Sequence, residues 1–227
     1  MAEAAAALFD VDGTLVDTVY LHTLAWQQAL RQYGHEVDAA LIHRAIGMGS
    51  GQLLDHLLGA DRDRAEDEAL SDAHLALYAW HWPGLRAFPG AAELLRECAG
   101  LGWRVVLATS ASGRELDVLR KALDAEDALY AVTDADAVSA SKPAPDLVHS
   151  ALDRAGSAPD RAVFVGDSVW DVRAAHRADT PCVAVETGGF AADELRGAGA
   201  LEVHASVEEL LRGLDDSVLS RPRAGGR

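Results

Sequence analysis

The sequence predicts an α/β fold: a parallel sheet flanked by helices, with a helical insertion after the first strand. Three observations carry that expectation. Apolar runs of strand length end repeatedly in polar residues, and amphipathic helical patterns separate those runs. Residues 18 to 82 interrupt the alternation with helical patterns only. Strands alternating with helices imply βαβ units and hence parallel strands.

The first strand, "AALF", leads into "DVDGTLVDT", where Asp10, Asp12 and Asp17 fall within eight positions. Strand side chains alternate with period two, so Asp10 and Asp12 point the same way while Val11 points back. Two carboxylates on one face repel unless a cation, a proton or a positive partner lies between them. Helical patterns follow: "DTVYLHTLAWQQALRQYG", opening at an Asp/Thr cap, then "DAALIHRAI", "SGQLLDHLL" and "AEDEALSDAHLALYAWHW". The segment "WPGLRAFPG" then supplies Pro and Gly for a hinge. Beyond it the alternation resumes. Helix "GAAELLRECAGLG" precedes strand "WRVVLA", which ends at Thr109 and Ser110; helices "GRELDVLRKALDA" and "PDLVHSALDRAG" precede strand "RAVFVG", which ends at Asp167. Helix "WDVRAAHRAD" and strand "PCVAVE" close the pattern. The expected organisation is a catalytic core over 1–16 and 87–214, an inserted helical cap over 17–86, and a disordered tail over 215–227. Ligands of open parallel sheets bind beyond the carboxyl ends of the strands, so Asp10, Asp12, Thr109, Ser110 and Asp167 are expected at one edge.

Composition narrows the function classes. The net charge of −16, from 36 acidic and 20 basic residues, argues against nucleic acid or an anionic membrane as partner. Hydrophobic residues make up 49% of the chain, enough for a sizeable core, yet no apolar stretch approaches the ~20 residues of a membrane span. Cys98 and Cys182 form no CxxC pair or disulfide framework, and "AAAALF" lacks a basic flank and the length of a signal segment. A cytoplasmic location is the expectation, with a monomer or weak homodimer as the oligomeric state.

Four stretches together resemble the haloacid dehalogenase superfamily, in its helical-capped phosphatase and phosphosugar mutase branch, which has a Rossmann-like core. "DVDGTLVDT" is similar to its first motif, "LATSAS" to its second, "SKPAPD" to its third and "GDSVWD" to its fourth, in the family's order. The resemblance implies that Asp10 is a nucleophile forming an aspartyl phosphate, and that Asp12 is the general acid and base. It implies Lys142 as the cation between nucleophile and phosphate, with Thr109, Ser110 and Gly13 around the phosphate. Mg²⁺ is the implied cofactor, held by Asp10, Asp167, Asp171 and the backbone carbonyl of Asp12, with Asp171 at or just behind the site. The chemistry suits these residue types. A carboxylate is ionised at neutral pH and needs no base to activate it, but it cannot approach an anionic phosphate without neutralising charge. Lys142 is one of only two lysines, beside Lys121, in a chain otherwise biased to arginine.

Ordinary structural roles compete with these assignments. Asp12 before Gly13 also reads as turn chemistry, Thr109 and Ser110 as a helix cap, and Asp171 as a charge favoured by a helix dipole. His22 and Trp26 resemble the HxxAW pattern of family caps, where His22 is either a substrate contact or a hinge and core residue. "GMGSG" (Gly47 to Gly51) is no nucleotide loop, because no strand precedes it and its third glycine is misplaced.

Within the superfamily, Asp12 argues against dehalogenation. The absence of lysine from residues 18 to 82 excludes a Schiff-base phosphonatase. The expected activity is hydrolysis of a small organic phosphate monoester. One alternative is a beta-phosphoglucomutase-like mutase; "AIGMGSG" lacks the Lys and Arg of the mutase cap loop and resembles that of phosphoglycolate phosphatases, leaving Arg44 as the nearest cap arginine. The other is a non-catalytic member that binds phosphorylated ligands.

Overall fold

The computed structural model describes residues 4–111, 113–133 and 140–222. Six strands form one sheet: β1 Ala6–Phe9, β2 Arg104–Ala108, β3 Ala131–Thr133, β4 Ala162–Gly166, β5 Cys182–Val185 and β6 Glu202–His204. Their order is β3-β2-β1-β4-β5-β6, and every pairing is parallel. β1 is therefore central, with Phe9 level with Leu107 of β2 on one side and Val165 of β4 on the other. That register brings the residues just past each strand to a common edge. Asp10, Thr109 and Asp167 emerge side by side.

Helices cover both faces, and the strand period divides the core in two. Ala7 and Phe9 pack with helix α5 (Ala91–Gly100), helix α6 (Gly113–Leu123) and helix α10 (Val207–Arg212). Ala6 and Leu8 point the other way, into helix α7 (Asp146–Ala155), helix α8 (Val169–Arg177) and helix α9 (Ala192–Ala198). All four β1 residues are buried, as expected of a parallel strand covered on both faces.

Between β1 and β2 lie helices α1 (Val19–Gln32), α2 (Ala39–Ala45), α3 (Ser50–Leu58) and α4 (Asp67–Ala79). They enclose a separate apolar cluster that includes Trp26, Leu30, Ile42, Leu53, Leu54 and Leu70. The two ends of this helical cap meet side by side: Asp17 N–H donates to the Arg86 carbonyl at 3.0 Å, and Phe88 N–H to the Leu15 carbonyl at 2.8 Å. No helix among the described residues is long and apolar enough to cross a membrane.

The tail departs from expectation. Residues 215–222 pack instead of being disordered, while 223–227 lie outside the described residues. Leu219 is fully buried, and its carbonyl accepts from Trp103 Nε1 at 2.9 Å. Glu202 of β6 takes Ser217 Oγ at 2.7 Å and Val218 N–H at 2.8 Å. Two apolar side chains, Leu219 and the partly buried Val218, and three hydrogen bonds anchor a segment whose composition is mostly polar. Leu219→Ala is expected to destabilise the protein by about 2–4 kcal/mol, read as a lower urea midpoint; a midpoint equal to wild type would show that the segment is not part of the core.

Candidate active site

The turn after β1 builds the floor of the site. Gly13 sits at φ +80°, and a side chain there would run into Val19 and Asp167. Its N–H donates to the Val16 carbonyl and its own carbonyl accepts from Thr187 Oγ1 at 2.6 Å. That amide is committed within the turn, and the glycine allows close approach to Val19 and Asp167. Thr14, which the sequence reading passed over, donates to Asp167 Oδ1 at 2.7 Å and lies 3.4 Å from Asp10 Oδ2.

Lys142 supplies the positive partner that the first motif demands. Its Nζ lies 2.5 Å from Asp10 Oδ1 and 2.7 Å from Asp171 Oδ1, with 1% of the residue exposed. Asp171 holds that place through the start of α8. Its Oδ2 accepts from the Ser168 N–H at 3.1 Å and Ser168 Oγ at 2.5 Å, while Ser168 Oγ caps the helix in return. The helix-terminus role and the site role therefore fall to one carboxylate, Oδ2 capping α8 and Oδ1 facing Lys142.

Asp10, Asp167 and Asp171 bring carboxylate oxygens within 4.8 Å of one another, all buried. Three buried carboxylates against one ammonium leave uncompensated negative charge. Burial pushes Asp10 up to about 7 despite Lys142, and burial with Asp171 and Asp10 nearby pushes Asp167 well above the usual carboxylate range. All-oxygen donors in that arrangement could hold a hard divalent cation, which would reverse both shifts. The Asp12 side chain is not in that group.

Asp12 instead faces the cap. Its Oδ1 accepts from Thr18 Oγ1 at 2.8 Å and lies 3.4 Å from His22 Nε2, and Oδ2 lies 3.4 Å from Thr109 Oγ1. Burial opposes ionisation of Asp12, but the hydrogen bonds and charge of His22, with Thr18, outweigh it and lower its pKa. His22 shares a 3.1 Å hydrogen bond through Nδ1 with His74 Nε2 on α4. Glu115 of α6 lies 3.8 Å from His22 Nε2, and burial raises its carboxyl to about 7. His74 and Glu115 carry no local sequence signal; each meets His22, His74 from within the cap and Glu115 across the junction of cap and core.

The cap closes over this floor. Trp170 Nε1 donates to the Arg44 carbonyl at 2.9 Å, and His43 Nε2 to the Gly188 carbonyl at 2.9 Å. The glycines of "GMGSG" permit the contact: a Cβ on Gly49 would overlap Ser141 Oγ. Arg44 itself pairs with Glu194 of α9 and lies over the Phe190 ring at 4.1 Å, away from the floor. Beneath the cap is a chamber of about 320 Å³ that reaches Asp10, Asp12, Ser110 and Lys142. Thr109 is fully buried beside it, its Oγ1 accepting from the Ala111 N–H at 3.0 Å.

Known proteins share this architecture. A family model described as haloacid dehalogenase-like hydrolase matches residues 4–179. The chain is 31% identical over 207 residues to a phosphoglycolate phosphatase of Rhodospirillum rubrum, covering 87% of this chain and 86% of the relative. The crystal structure of a hydrolase from Pseudomonas syringae superposes with a TM-score of 0.88 at 34% identity, covering 93% of this chain and 98% of the other. That of CbbY from Rhodobacter sphaeroides in complex with phosphate gives 0.75 at 28% identity, over 95% and 100%.

Proposed function

The chain belongs to the haloacid dehalogenase-like hydrolases, and from that premise we propose that it is a Mg²⁺-dependent phosphatase of small organic phosphate monoesters, working through an aspartyl phosphate on Asp10. The observation that carries this reading is Lys142 Nζ, buried between Asp10 and Asp171 at the floor of a chamber sized for a small molecule. Mg²⁺ bound by Asp10, Asp167, Asp171 and the Asp12 carbonyl would supply further positive charge to offset repulsion between carboxylate and phosphate.

The chain's own residues account for the remaining steps. Lys142 screens Asp10 as its carboxylate oxygen bonds to phosphorus and the phosphorus–alkoxide bond breaks. Asp12, with His22 Nε2 3.4 Å from its Oδ1, acts in its protonated form and gives that proton to the departing alkoxide oxygen. Water then attacks the phosphorus of the aspartyl phosphate and gives its proton to Asp12. Inorganic phosphate leaves and Asp10 is restored. Ser110 lines the phosphate end with Thr109 buried behind it, and His22 positions Asp12.

Hydrolysis is favoured over phosphoryl transfer by Arg44. Arg44, the cap arginine nearest to the loop, is engaged by Glu194 and Phe190 instead of facing the chamber. The test is release of inorganic phosphate from p-nitrophenyl phosphate and small monophosphates. Turnover is expected to vanish in EDTA, return with millimolar Mg²⁺, and show no activation by glucose 1,6-bisphosphate. Conversion of beta-glucose 1-phosphate to glucose 6-phosphate with little phosphate released would overturn the reading.

A further inference from the structure

The chamber wall beyond the reacting phosphate carries acid and no free base. Among the described residues lining it, Lys142 is the only lysine or arginine, and it is already paired with Asp10 and Asp171. The loop and helix that roof it, "IGMGSGQLLDHLL", contain neither residue type. Besides Asp10 and Asp12, two further carboxylates line the chamber. Glu115 projects from α6 with 16% of its side chain exposed, and Asp72 stands exposed on α4.

The two histidines do not offset this. His74 is buried against Trp26, with ring centroids 4.2 Å apart, and burial keeps it neutral. His22 faces Asp12 and Glu115 together, so any charge on it is met by two carboxylates before a substrate arrives. The remaining cap contributions are hydroxyls and apolar groups: Ser50, Ser71, Met48, Leu53 and Leu75. A second anionic group on the substrate would enter a small space in which no lysine or arginine is left to pair it, beside one or two like charges. Hydroxyl or ammonium donors would instead find acceptors in Glu115 and Asp72.

We propose that the substrate is a phosphate monoester whose alcohol carries hydrogen-bond donors and no second negative charge, with Glu115 and Asp72 as the residues that select against anionic leaving groups. The assignment rests on the phosphatase reading above and narrows it. It sets sugar alcohol, sugar and amino-alcohol monophosphates apart from phosphocarboxylates and bisphosphates. A volume of about 320 Å³ is at the small end for ligand pockets, which suits a short alcohol under the closed cap.

Three two-carbon substrates of equal length test it: 2-hydroxyethyl phosphate, O-phosphoethanolamine and 2-phosphoglycolate, which end in hydroxyl, ammonium and carboxylate. The wild-type kcat/KM for 2-phosphoglycolate is expected to be at least tenfold below that for 2-hydroxyethyl phosphate; a smaller gap overturns the proposal. O-phosphoethanolamine is expected within tenfold of the hydroxyl compound or above it. If it falls with the carboxylate, the chamber rejects charge of either sign and the selector role is overturned. In Glu115→Gln/Asp72→Asn the hydroxyl-to-carboxylate ratio should shrink at least threefold, and an unchanged ratio counts against these residues. The ratio is taken within one protein, so general losses of activity cancel. Asp72→Asn alone, at an exposed position, serves the same comparison if the double variant does not fold. If wild type releases phosphate from none of these nor from p-nitrophenyl phosphate, the phosphatase reading fails. The charge ranking is then still read from calorimetric binding of the three compounds to Asp10→Asn protein, where tighter binding of the carboxylate overturns it.

Discussion

Asp10→Asn is expected to abolish phosphate release, lowering kcat by about 10⁴-fold or more, while leaving the fold intact. An amide oxygen is a far weaker nucleophile than a carboxylate, and no other side chain is placed to replace it. The structure gives a reason for the fold to survive. Asp10 is buried with two further carboxylates within 4.8 Å, and burial already pushes its carboxyl up to about 7. Removing its charge relieves repulsion, and Lys142 keeps Asp171 as a partner at 2.7 Å. Thermal unfolding should therefore remain within a few degrees of wild type, and phosphate should bind as well or better. The measurement is steady-state hydrolysis by freshly purified protein, with deamidation back to aspartate excluded by intact mass. Persistent turnover by protein free of deamidation would remove Asp10 from the nucleophile's role.

Much of the fold was legible because the strands that position the site are the buried ones. "AALF", "WRVVLA", "RAVFVG" and "PCVAVE" are apolar on both faces and end in polar residues, so their length and termini stand out without any tertiary information. β3 and β6 went unread because each is only three residues long, and β6 is half-exposed, mixing Glu202 and His204 with a single valine. The short α9 and α10 escaped for the same reason, since six or seven residues show less than two turns of periodicity. The tail was misjudged on composition: Val218 and Leu219 are two apolar residues among many polar ones, and their partners Trp103 and Glu202 are distant in sequence. Within the site, Asp10, Thr109 and Asp167 could be named because each follows a strand directly, whereas Lys142, in the loop before α7, stood out only through its motif. His74 and Glu115 could not, because both gather around His22, one from another cap helix and one from a core helix far away in the chain.

Lys142→Arg is expected to lower kcat by about 10²-fold or more, although it preserves the charge. The ammonium is a compact donor that reaches Asp10 at 2.5 Å and Asp171 at 2.7 Å at once, with Phe164 5.8 Å away across its other side. A guanidinium is planar and wider, and with 1% of the residue exposed there is no solvent into which it can expand. Seating it must displace either Asp171, which breaks the Ser168 cap of α8, or Asp10, which misaims the nucleophile. Lys142→Met separates geometry from charge. It leaves the buried carboxylates without their ammonium and should cost about 3–5 kcal/mol of stability, part of which added Mg²⁺ should restore by binding the folded state. Lys142→Arg should lose activity with less loss of stability than Lys142→Met. That ordering is specific to a lysine whose position as well as charge is used by the reaction. If Arg sustains kcat near wild type, the ammonium is not the group between Asp10 and phosphate, and the third motif has another role.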